Sequence, residues 1–88
     1  MDLKQLPNIG QTLAEKLNAV GVSNDQELKA LGSENAIIKI STLENSRACI
    51  NMLYALEGAI NGIRWHELSK ERKQELKEFY RLMIQNKI

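Results

Sequence analysis

Cysteine is almost missing from this chain: Cys49 stands alone among 88 residues. One thiol excludes an internal disulfide and any zinc site built on paired cysteines, and it suits a reducing compartment. Proline is as scarce, with Pro7 alone beside five glycines, which argues against disorder. A dominant sign of charge is also missing. The net charge is +1, so no overall field marks a nucleic-acid binder. No apolar run approaches the ~20 residues of a membrane span. The opening Met1-Asp2-Leu3-Lys4 lacks the apolar stretch of a signal peptide. A cytoplasmic protein without a membrane partner is therefore expected. Histidine occurs once, at His66. It has no second ligand for a metal and no neighbouring nucleophile in a recognisable motif. No phosphate loop of P-loop or Rossmann type is present. No cofactor, metal or catalytic residue is implied, and the chain reads as a non-enzyme.

What is present is helical periodicity. No segment alternates with the period of two that a strand requires. Eighty-eight residues make one domain, spanning 1–88, that buries ~60–65% of its unfolded surface. The pattern predicts an all-α domain of about five helices: a hairpin part over about 1–32 and two longer helices over about 46–88. Leu13, Ala14, Leu17 and Val20 make one stripe, so a helix is expected from Gln11 to Val20, stopped by Gly21. Ser23 with Gln26, or Asn24 with Glu27, has capping-box spacing for a short helix from Asp25 to Leu31. Ser33 is a candidate cap for another from Glu34 to Ile40, with Ser41–Asn45 as a loop.

The next helix is expected from Ser46 to Asn61. Its broad apolar face places Cys49 inside, as an inert core thiol. Gly58 costs about 1 kcal/mol of helix propensity relative to Ala, which close approach of another backbone would explain. Gly62 ends this helix, and Ile63, Trp65 and Leu68 anchor the connection that follows. Ser69 caps the last helix, which runs to Asn86. Leu76, Phe79, Tyr80 and Met83 form its apolar stripe. Arg72 falls within that stripe in the first turn and needs a carboxylate, for which Glu57 is the candidate.

Two surfaces are candidates for binding. The first is the tight turn Leu6-Pro7-Asn8-Ile9-Gly10, which feeds a helix whose unpaired N–H groups favour an anion. Asn8, Ile9, Gly10, Gln11, Thr12 and Lys16 are its candidate nucleic-acid contacts. Charge speaks against it. Over residues 1–32, Lys4, Lys16 and Lys29 are outnumbered by Asp2, Glu15, Asp25 and Glu27, while phosphate binding draws on several cations. The second lies in residues 64–88, where bases outnumber acids. There Lys70, Lys73, Lys77 and Arg81 form a stripe at i, i+3, i+7 and i+11. The stripe is a candidate contact surface for phosphate or for an acidic partner, and with Tyr54, Trp65 and His66 it gives the candidate contacts for a protein partner, since Trp dominates interface hot spots. The plainer alternative is that the stripe is solvated, that Trp65 locks two helices together and that His66 bonds a backbone carbonyl.

Leu6-Pro7-Asn8-Ile9-Gly10 with Ala14-Glu15-Lys16-Leu17 resembles the helix-hairpin-helix motif, a SAM-like arrangement that grips nucleic-acid backbones. The wider set is more specific. It adds Leu28-Lys29-Ala30-Leu31-Gly32-Ser33-Glu34, the run Asn51 to Ile60, Gly62-Ile63-Arg64-Trp65-His66, Glu71-Arg72-Lys73, and Glu75-Leu76-Lys77-Glu78-Phe79-Tyr80. Together these resemble the C-terminal domain of the TfoX (Sxy) family across nearly the whole chain. In that family Asn is usual at the position of Asn8. Full-length members place an α/β domain in front and promote transcription of DNA-uptake genes with the cyclic-AMP receptor protein. The resemblance implies a regulatory, non-catalytic role. It leaves two expectations: docking on a protein of the transcription machinery, or weak, sequence-nonspecific contact with DNA.

Overall fold

The structure, a computed structural model, describes residues 2–86. A 3-10 turn (Leu3–Gln5) leads into the hairpin. Five helices follow: α1 (Gln11–Ala19), α2 (Asp25–Leu31), α3 (Ser33–Ser41), α4 (Ile50–Asn61) and α5 (Lys70–Gln85). A second 3-10 turn, Trp65–Glu67, joins the last two. The described residues hold no strand; one isolated bridge ties Asp2 to Asn24. None of their helices is long and apolar enough to cross a membrane.

The periodic apolar positions become one core. Leu17, Leu28, Ile37, Ile40, Leu53, Leu56 and Leu76 are fully buried and come from all five helices. Leu3 of the first turn joins them. Helix α4 is central, packing against α2, α3, α5 and the Trp65–Glu67 turn.

Caps set several of the boundaries. The Asn24 side chain accepts from the Glu27 N–H at 2.9 Å. Glu27 in turn accepts from the Ser23 N–H and hydroxyl, both at 2.7 Å. Those bonds hold the Glu27 carboxyl below its usual range. Ser69 accepts from the Arg72 N–H at 3.0 Å and starts α5 as expected. Gly62 turns the chain into the left-handed region at φ 71°, and the Ile63 N–H closes back on the Gly58 carbonyl at 2.9 Å.

Four expectations need correction. Ser33 does not cap α3: Gly32 holds that position. Ser33 lies inside the helix, 3% exposed, and donates to Glu57 at 2.6 Å. Ser41 belongs to α3, so the loop begins at Thr42. Helix α4 starts at Ile50 rather than Ser46. Asn45 (φ 58°) and Arg47 (φ 52°) are left-handed, which a right-handed helix cannot continue through. Cys49 is extended at the N-cap (φ −150°), and its thiol is exposed, not buried in the core. The Tyr80 hydroxyl donates to the Ala48 carbonyl at 2.9 Å and fastens this extended segment to α5.

Arg72 finds the expected partner. Its Nε donates to Glu57 Oε2 at 2.9 Å and a terminal nitrogen donates to Oε1 at 3.2 Å, a two-point pair. Another guanidinium nitrogen reaches Glu75 at 3.1 Å and Glu34 at 3.8 Å. The cluster ties α3, α4 and α5 together. Burial raises the Glu57 carboxyl, but hydrogen bonds from Arg72 and Ser33 outweigh it and hold the group below its ordinary value. Bonding to Glu57 raises Arg72 further above its normal range.

Candidate binding surfaces: the hairpin and the aromatic ladder

The hairpin is short on one side, with only the Leu3–Gln5 turn where a first helix would stand. Leu6 and Ile9 tuck inward, 8% and 5% exposed. The sharp turn falls on Asn8, at φ 70°. Asn tolerates this conformation better than most side-chain-bearing residues.

Its carboxamide points into the fold. Asn8 Nδ2 donates to the Ile63 carbonyl at 2.9 Å and to the Ala55 carbonyl at 3.4 Å. Asn8 Oδ1 accepts the Trp65 N–H at 3.2 Å. Gly58 makes room for this. A Cβ there would stand 2.5 Å from Asn8 Nδ2, 2.8 Å from the Ile63 carbonyl oxygen and 3.1 Å from Trp65 Cα. The close approach expected at Gly58 is that of the hairpin tip and the Ile63–Trp65 backbone.

The Trp65 ring, fixed from behind through its backbone, lies half-exposed between two others. It stacks on Tyr54 with centroids 5.8 Å apart and planes 12° from parallel. His66 stacks against it at 3.9 Å. Lys73 Nζ sits over the indole at 5.6 Å and donates to the His66 carbonyl at 3.3 Å. This ladder joins α4, the 3-10 turn and α5. Beside it, Ile50, Tyr54, Lys77, Tyr80, Arg81 and Ile84 line a groove of about 470 Å³.

Comparison with known proteins identifies the family and the fold. The description of the TfoX C-terminal domain matches residues 1–80. This chain belongs to that family. It is 36% identical over 77 residues to protein Sxy of Escherichia coli K12, covering 88% of this chain. It spans 36% of that relative's length, so Sxy extends well beyond the matched region. A crystal structure of an uncharacterized Listeria monocytogenes protein, in a triclinic form, superposes with a TM-score of 0.90 at 43% identity. It covers 94% of this chain and 93% of that one. A tetragonal form of a Listeria monocytogenes protein of unknown function gives 0.88 at 44% identity, over 93% and 99%.

Within this TfoX C-terminal domain the candidate residues fall into distinct environments. Asn8 and Ile9 are spent on the fold, and the Ile9 N–H already bonds the Leu6 carbonyl at 3.4 Å. Gly10, Gln11 and Thr12 are exposed at the start of α1, where no side chain caps the helix. Gln11 donates to Glu15 at 3.2 Å, which brings a carboxylate to the same first turns. Lys16 is half-buried in a shallow depression with Glu15 and Glu44.

The second set is gathered better. Tyr54, Trp65, His66 and Lys73 form the ladder, and Lys77 and Arg81 border the groove. Lys70 is exposed at the first turn of α5. Arg81 pairs with Glu78 one turn earlier. The His66 ring is exposed and stacks on Trp65, in place of the expected bond to a carbonyl.

Ile50, Tyr80 and Ile84 complete the groove, and sequence reasoning had not chosen them for binding. Ile84 carried a signal, since it lies on the α5 wheel beside Lys73 and Lys77, off the apolar stripe. It is 50% exposed.

Proposed function

We propose that the domain is a non-catalytic regulatory module of the competence-regulator type, acting in the cytoplasm. It docks on a protein partner of the transcription machinery. The observation that carries this reading is the ladder Tyr54–Trp65–His66, half in solvent beside an apolar groove and flanked by Lys73, Lys77 and Arg81. A rigid aromatic anchor next to an apolar floor supplies what a hot spot needs. Among the described residues no three His, Cys, Asp or Glu side chains gather as a metal site.

A second reading is sequence-nonspecific contact with the DNA backbone through the Leu6–Gly10 hairpin. The exposed, uncapped start of α1 behind Gly10 favours it. Three features oppose it: the Asn8 side chain is bonded internally, Ile9 is core, and Lys16 is half-buried in a depression it shares with Glu15 and Glu44.

Capture from native cytoplasm, with and without nuclease, tests the choice. The same proteins retained after nuclease treatment support docking. Gly10→Asp sharpens the test. Gly10 has an extended φ of −97° and open space around a Cβ, so Asp fits there and is a favourable helix cap. It also places a negative charge where phosphate would sit. Loss of capture on nuclease treatment, with Gly10→Asp abolishing duplex binding, would favour the hairpin.

A further inference from the structure

We propose that the groove between α4 and α5 takes a short acidic, amphipathic helix from a protein partner. Aliphatic side chains of that helix would lie on Ile50, Tyr80 and Ile84, with its carboxylates along Lys77 and Arg81. The proposal rests on the docking reading above and names the surface and the chemistry of what it receives.

The floor is apolar and comes from two helices: Ile50 and Tyr54 of α4, Tyr80 and Ile84 of α5. Ile84 is half in solvent without a partner helix to cover it. A volume of about 470 Å³ holds two or three aliphatic side chains. No carboxylate lines it.

Lys77 and Arg81 are the charged residues that line the groove, Arg81 already pairing with Glu78 on its outer side, and they continue a row of cations along α5. Lys70, Lys73, Lys77 and Arg81 follow one side of α5 over twelve residues, about 16 Å at 1.5 Å per step. That is the length of roughly three turns of a docked helix. Lys70 and Lys77 make no ion pair among the described residues. The acids of α5, Glu71, Glu75 and Glu78, occupy the opposite flank of the wheel. The apolar strip on that flank, Ile38, Phe79, Leu82 and Met83, therefore has no matching row of cations.

Charge selects between occupants. A nucleic-acid backbone would use the cations and leave the apolar floor wet. A basic or neutral helix would use the floor and be repelled by the rim or gain nothing from it. An acidic amphipathic helix uses both: apolar contact for affinity, charge for orientation and approach.

The test uses the 88-residue protein and two synthetic 15-residue peptides with the same leucine face, one bearing Glu and the other Lys on its polar face. Amide shifts are followed by two-dimensional NMR. The Glu peptide is expected to shift Ile50, Tyr54, Tyr80 and Ile84 and to bind about tenfold or more tighter than the Lys peptide. Ile84→Asp and Lys77→Glu, both at exposed positions, should each weaken it about fivefold or more without altering the remaining spectrum. Equal binding of the two peptides, shifts centred elsewhere, no saturable binding, or duplex DNA competing for the same four residues would overturn the proposal. Nuclease-resistant capture separates the two levels. If Ile84→Asp captures the same proteins as the native chain, the groove is wrong and docking stands. If the native chain captures none, docking itself fails.

Discussion

Asn8 holds Trp65 by its backbone. The Asn8 carboxamide oxygen accepts the Trp65 N–H at 3.2 Å across 57 residues of chain, while its nitrogen holds the Ile63 carbonyl at 2.9 Å. The hairpin tip thus serves as the rear support of the half-buried indole. A residue suited by type to a phosphate-binding turn is occupied in holding the backbone at Ile63 and Trp65.

Replacing Asn8 should therefore cost stability and disturb Trp65 together. Asn8→Ala loses all three bonds and puts a Cβ-bearing residue without a polar side chain at φ 70°, a loss of about 2–4 kcal/mol. Asn8→Gly relieves the backbone and should cost less, about 1–2 kcal/mol. Urea unfolding followed by the fluorescence of the single tryptophan reads both effects.

Gly58→Ala should destabilise although it improves helix propensity by about 1 kcal/mol. The new Cβ would meet the Ile63 carbonyl at 2.8 Å, and that carbonyl is already held by Asn8. The net loss is expected at about 1–3 kcal/mol, measured by thermal or urea unfolding. A gain in stability would mean the hairpin tip yields freely.

The Glu57–Arg72 pair should appear on the acid side of the stability profile. Glu57 is held below its ordinary value of 4.5 in the folded protein. Its contribution is thus present above about pH 4.5 and disappears as pH falls through the lower folded value. Glu57→Gln should lose about 1–2 kcal/mol at neutral pH, with the gap from the native chain narrowing as pH drops below 4.5. Unfolding midpoints between pH 7 and 3 check this.

Cys49 should react with a thiol reagent in the folded state, because it stands exposed at the N-cap of α4. Stoichiometric labelling of the native protein within minutes is expected. Labelling only after unfolding would return it to the core.

Much of this was legible in the sequence, and the failures share a cause. Periodic Leu and Ile, the caps Asn24 and Ser69 and the stop at Gly62 report local geometry, and they located the helices. Glu57 for Arg72 followed from a charge on an apolar face. The start of α4 was misread because Ala48 and Cys49 continue the apolar pattern, whereas the break depends on left-handed Asn45 and Arg47, and Arg carries little sign of that conformation. The Asn24 cap was visible by spacing; the role of Ser33 was not, since its partner Glu57 lies 24 residues away. The groove was missed for a related reason. Ile50, Tyr80 and Ile84 form a surface only once α4 and α5 are set side by side.

The most direct measurement uses the one tryptophan. Trp65 labelled with 5-fluorotryptophan gives a single fluorine resonance at the centre of the proposed contact. Nuclease-treated cytoplasmic extract should shift or broaden that resonance, and Gly10→Asp should respond as the native chain does. A resonance left unchanged under conditions where the protein captures its partner would contradict the account.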